Sequence, residues 1–140
     1  MTNHWAREVA PELDVIEELA REAQAQLPEA FRPAANAVLL KVADTPPDDL
    51  LQDVGEENLY AITGLYDGIP LTEKSVMDQQ TSPDTIWLFR LPILEEWASR
   101  GDVTLGDLVG HVYIHELAHH FGWTDDDIAA IDPWWQPAML

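Results

Sequence analysis

Apolar residues change their spacing several times along this chain, and each change predicts a different element. Leu13, Ile16, Leu19, Ala20, Ala23 and Leu27 recur three and four positions apart, with Glu12, Glu17, Glu18 and Glu22 between them. That period puts one apolar stripe on a helix over Pro11–Leu27 and turns the acids to solvent. Pro28 stops the pattern, and Pro33 follows a short turn. Ala37–Val42 is apolar apart from Lys41 and partly β-branched, bounded by Asn36 and by Asp44-Thr45-Pro46-Pro47. A run of that length predicts a strand buried on both faces. Asp48–Asp53 follows as a single helical turn started by the prolines.

Leu59–Leu65 predicts a second strand, with Asp67-Gly68 as its turn. Thr72–Pro83 is polar and aperiodic, a surface loop placed to border a cleft. Thr85–Arg90 carries the strongest strand signal, and Pro92–Ser99 predicts a short helix ended by Arg100-Gly101-Asp102. Thr104-Leu105-Gly106-Asp107 has the form of a capping box, opening an amphipathic helix that runs to Phe121. Gly106 and Gly110 each cost that helix roughly 1 kcal/mol relative to Ala. Tertiary packing must therefore hold it, and the two glycines predict close approach of another element. Asp125–Ile131 predicts a last short helix stopped by Asp132-Pro133, and the apolar tail Trp134–Leu140 either packs back on the domain or makes a dimer contact.

Composition narrows the class. With 140 residues, 46% of them hydrophobic, the chain can form one packed domain. It has no internal repeat or low-complexity tract. The absence of cysteine removes disulfides, thiolate metal sites and cysteine nucleophiles, and fits a reducing compartment. Met1–Asp14 shows no signal-peptide pattern, and no apolar run is long enough for a bilayer, so a soluble cytoplasmic protein with no membrane partner is expected. The net charge of −19, from 26 acids against 7 bases, would repel a phosphate backbone and argues against nucleic acid as a partner. Its main effect is a solvated acidic surface.

The candidate chemistry lies in His115-Glu116-Leu117-Ala118-His119-His120-Phe121-Gly122-Trp123-Thr124-Asp125. Histidines four apart on a helix share a face and can reach one Zn²⁺. Glu116 can reach a water at that ion without ligating it. Gly122 accepts a positive φ and so lets the chain fold back, which brings Asp125 round as a third ligand. Asp126 and Asp127 are alternatives by spacing. An open fourth position marks a catalytic site, with peptide or amide hydrolysis as the reaction and Glu116 as general base. His111 shares the face of His115 and His119, and is read as a ligand, a hydrogen-bonding support or a packed histidine. His120 points off that face and reads as a hydrogen-bonded neighbour. Tyr66 is a transition-state donor only if its loop reaches the metal; core packing is the simpler reading. Two rival functions remain: a non-catalytic metal-binding or regulatory module, and a ribonuclease built on His111, His115 and His119.

Two further segments, Leu65–Thr72 and Pro83–Arg90, precede the motif segment Ile114–Asp125, with Asn36-Ala37-Val38 before them. Together they resemble the minimal zincin-like metallopeptidase family of small bacterial proteins. The resemblance implies an α+β fold, with a small mixed sheet and helices on it, the metal helix lying beneath. It implies His115, His119 and Asp125 as ligands of Zn²⁺, Glu116 as the catalytic glutamate, and a peptide or protein as substrate. In such folds a strand above the metal helix borders the cleft, and Thr85–Arg90 is the natural candidate. Trp123 and the aromatic tail depart from the family pattern, which leaves cleft width and assembly, monomer or weak homodimer, open.

Overall fold

The computed structural model describes residues 11–69 and 83–123. Its elements run α1 (Leu13–Ala25), a 3₁₀ turn (Glu29–Phe31), α2 (Arg32–Ala37), β1 (Leu39–Ala43), α3 (Asp48–Asp53), β2 (Gly64–Asp67), β3 (Thr85–Phe89), α4 (Arg90–Arg100) and α5 (Leu105–Phe121). The expectations for Thr72–Pro83, for the helix from Asp125 and for the tail lie largely or wholly outside the described residues.

Three strands form one mixed sheet in the order β1-β3-β2. β1 runs parallel to β3, with Leu39 opposite Thr85 and Ala43 opposite Phe89. β2 runs antiparallel to β3, with Gly64 opposite Leu88 and Asp67 opposite Thr85. Ile86 and Leu88 turn the inner face of β3 onto Leu108, Val109, Val112 and Leu117 of α5, while Ile16 and Ala20 of α1 close the same core. Each of these Leu, Ile and Val side chains, fully buried, stabilises the fold by roughly 1.5–3 kcal/mol. Helices thus cover one face of the sheet, an α+β arrangement.

Several boundaries differ from the sequence pattern for physical reasons. The apolar run at Ala37 begins as helix, because α2 continues through Ala37 and the strand starts only at Leu39. β1 is not buried on both faces: Leu39, 44% exposed, and Lys41 turn one face to solvent. The strand expected at Leu59–Leu65 is displaced toward the carboxyl side, to Gly64–Asp67, where the ladder with β3 runs from Gly64 opposite Leu88 to Asp67 opposite Thr85. Arg90 starts α4 rather than ending β3; its guanidinium donates to Asp44 Oδ1 at 2.7 Å and to the Pro11 carbonyl at 2.9 Å. That clamp joins the ends of β1 and β3 to the start of α1.

The central helix is not amphipathic. Its buried residues include Leu108, Val109, His111, Val112, Tyr113, His115, Glu116, Leu117 and His120, which lie on every side of it. α1 covers one flank and the sheet another. Where α1 crosses, a methyl group added at Gly110 would sit 3.4 Å from Ala23 Cβ, an ordinary contact distance. The tight approach is elsewhere: a Cβ at Gly64 would lie 2.8 Å from Val112 Cγ1 and 3.0 Å from the Trp87 carbonyl.

The two glycines should therefore respond oppositely. Gly110→Ala is expected to be neutral or stabilising by up to about 1 kcal/mol, because helix propensity rises without a clash. Gly64→Ala is expected to cost about 1–3 kcal/mol, because β2 must move off α5. Urea unfolding of both variants measures this, and equal effects would contradict the packing described.

Candidate active site

The helix that carries the site is fixed at both ends. Thr104 Oγ1 accepts the Asp107 N–H at 3.0 Å and satisfies a donor of the first turn. Gly122 closes the other end at φ 75°, with its N–H on the His119 carbonyl and the Trp123 N–H on the Ala118 carbonyl, both at 3.0 Å. This double bond pattern reverses the chain directly after the last histidines. Trp123 then stacks on Phe121 and meets the edge of Phe31, so this departure from the family pattern buries part of an aromatic cluster at the reversal.

On α5, His115 and His119 stand one turn apart with their Nε2 atoms 3.2 Å from each other. The rings are nearly perpendicular, at 85°. His115 is buried and His119 is exposed, so the pair reaches from the interior to the surface. An ion at the usual 2.0–2.1 Å from each nitrogen would subtend an angle of roughly 100° between them, close to tetrahedral. The pair therefore fits a divalent metal such as zinc. Asp125, and with it Asp126 and Asp127, lies outside the described residues. Among the described residues no group of three or more His, Asp or Glu side chains could hold a metal.

Glu116 follows His115 but faces β2, where Gly64 brings the strand backbone against its side chain. The carboxyl group is almost fully buried. Burial pushes its pKa from the ordinary carboxylate range up to about 8, against the opposing effect of the Tyr66 backbone N–H that donates to it. A carboxylate with that proton affinity is suited to take and release a proton near neutral pH. His115 and Glu116 share the wall of a cavity of about 470 Å³, completed by residues 60–64, by His111, and by Pro92, Glu95, Glu96 and Ser99 of α4.

β3 cannot offer an edge to a ligand, contrary to the expectation for Thr85–Arg90. It is the central strand, paired on both sides, and β2 is the strand that borders Glu116 with one edge free among the described residues. Tyr66 is not aimed at the histidine pair either. Its hydroxyl donates to Asp84 Oδ2 at 2.9 Å and lies 3.0 Å from His120 Nδ1, and burial with the adjacent Asp84 pushes its pKa far up. His120 is the hydrogen-bonded neighbour that its helix position suggests, also 3.0 Å from Asp84 Oδ2. Asp84 was not singled out by sequence reasoning. Its only signal was its place in the Pro83–Arg90 segment that carries the family resemblance.

The buried Glu116 makes the metal-free protein pH-sensitive. Its folded pKa lies above its unfolded value, so its contribution is intact below about pH 4.5 and is lost as the pH rises to about 8. The expected loss is on the order of a few kcal/mol. Urea unfolding of chelator-treated protein at pH 5 and pH 8.5 should show it, and Glu116→Gln should remove that part of the slope. The same slope in both proteins would contradict the assignment.

The model of the zincin-like metallopeptidase family matches residues 35–135, which takes in β1, the whole sheet, α4 and the histidine helix. No curated protein matches the chain. Zinc is the metal that the family implies, and hydrolysis of peptide bonds its general chemistry. With the match spanning well over half the sequence and the sheet-over-helix arrangement in place, this chain belongs to the zincin-like metallopeptidase family.

Proposed function

We propose that the protein is a zinc-dependent peptidase in which His115, His119 and Asp125 hold the ion and Glu116 moves the proton. The observation that carries this reading is the meeting of the two Nε2 atoms at 3.2 Å, with the buried carboxyl of Glu116, whose pKa is raised to about 8, on the wall of the cavity that His115 also lines. A bound zinc ion would polarise a substrate carbonyl and make water acidic enough to attack near neutral pH. Gly122 turns the chain so that Asp125 follows within three residues, which supports its place as third ligand.

The chain's own groups do the rest. Glu116, as carboxylate, takes a proton from the water whose oxygen adds to the scissile carbonyl carbon. It then returns that proton to the amine nitrogen as the C–N bond breaks, which leaves Glu116 as it began. The Tyr66 N–H holds one carboxylate oxygen during both transfers. An extended peptide pairs with the outer-edge backbone groups of β2 other than the Tyr66 N–H, and β2 replaces Thr85–Arg90 in this role. The cavity of about 470 Å³ beneath residues 60–64 receives a side chain of that peptide. The charge of −19 favours protein over nucleic acid as substrate, and a chain without cysteine suits the cytoplasm. Among the described residues no helix is long and apolar enough to cross a membrane.

Purified protein is expected to contain about one zinc per chain, measured by elemental analysis, and His119→Ala to lose it. Glu116→Gln should keep the ion while hydrolysis of a peptide library falls about 10²–10⁴-fold. A wild-type protein that binds no metal, or a Glu116→Gln protein as active as wild type, would overturn the proposal.

A further inference from the structure

The segments around Tyr66-Asp67-Gly68 and Pro83-Asp84-Thr85 carry much of the family pattern, yet none of their side chains enters the chemistry proposed above. Their geometry gives them a different part. Tyr66 lies between two residues of α5 that are one turn apart. Its backbone N–H is on the Glu116 carboxyl, and its hydroxyl is between Asp84 Oδ2 at 2.9 Å and His120 Nδ1 at 3.0 Å. Asp84 and His120 also touch each other at 3.0 Å, and both are at least nine-tenths buried. Gly68 leaves room for this triangle. A Cβ there would lie 2.6 Å from Asp84 Oδ1 and 2.8 Å from the Tyr66 hydroxyl. The Ile69 N–H approaches the same Asp84 oxygen at 3.4 Å.

We infer that Asp84 and His120 are positioning residues that act on Glu116 through Tyr66. They hold the phenol at one end so that the amide at the other end stays aimed at the carboxylate. β2 is an edge strand of four residues, and a short edge strand opens readily by itself. The phenol anchor ties its middle to the two elements that flank it, the start of β3 and the end of α5. The distance between Glu116 and the strand is thereby set by a buried polar triangle. Gly68 is required because any side chain would displace Asp84, and Asp84 because a carboxylate can accept from both the phenol and the imidazole. This deepens the peptidase reading, since it names what fixes the proton carrier. The structural part of the claim does not depend on turnover.

The decisive variant is Tyr66→Phe, which removes only the hydroxyl and leaves Asp84 and His120 able to pair. Amide hydrogen exchange followed by NMR on metal-free protein reads the first consequence. Exchange at residue 66 should quicken about tenfold or more, while the amides of β3 and α5 keep their protection. Unchanged exchange at residue 66 would overturn the inference, and so would a uniform acceleration across the sheet. Gly68→Ala, which keeps all three polar partners but displaces Asp84, should reproduce the local effect. The second consequence is kinetic. In zinc-loaded protein, kcat of Tyr66→Phe should fall about tenfold or more, with KM within about twofold and metal content unchanged. Loss of metal, or an unchanged kcat in an active enzyme, would also overturn it. If the wild-type protein hydrolyses nothing, the peptidase reading fails by itself and the exchange result still decides whether the anchor exists.

Discussion

Glu116 is a buried carboxyl group on the central helix, set against a strand whose glycine lets the backbone reach its side chain. An ionisable group placed there must be neutral, paired or set beside a cation, because desolvation of an unpaired carboxylate costs several kcal/mol. Much of the surrounding structure can be understood as meeting that requirement. Gly64 admits the strand, the Tyr66 amide supplies a donor, and His115 lines the same cavity as the carboxyl.

Sheet topology decides which backbone meets that group. The parallel pairing of β1 with β3 needs a long crossover, and the chain between them carries α3 and β2. β2 returns antiparallel on the other side of β3, which leaves β2 at the edge and over α5. An edge position gives a peptide backbone somewhere to pair, and it also makes the strand the least secure element in the sheet. The Asp84–Tyr66–His120 triangle reconciles the two, because it fastens the strand through a side chain and not through a further strand among the described residues.

Electrostatics divides in the same way. Most of the acidic residues among the described ones are exposed to solvent, and they set solubility rather than chemistry. The few that are removed from water do something specific. Glu116 is placed to carry a proton, Asp84 anchors a phenol, and Glu96, whose pKa burial pushes up against the opposing charge of Arg100, lines the cavity beside the histidine.

Local interactions made part of this legible in the chain alone. The helix of Leu13–Ala25, the strand from Thr85, the cap at Thr104 and the stop at Gly122 depend on side-chain period, one capping oxygen and one positive φ, all within a few residues. The spacing of His115 and His119, and the glutamate between them, also follows from helix geometry. What required the tertiary structure was every decision made by a distant partner. The strand expected at Leu59–Leu65 begins instead at Gly64 and runs to Asp67, because its register is set by β3. The run from Ala37 looked doubly buried, but Leu39 and Lys41 turn one face of β1 to solvent. Asp84 stayed silent because its partners stand 18 and 36 positions away, at Tyr66 and His120. Period and capping act along the chain and so can be read from it, whereas burial and pairing are set by which segments meet across the fold, and a list of residues does not contain that information.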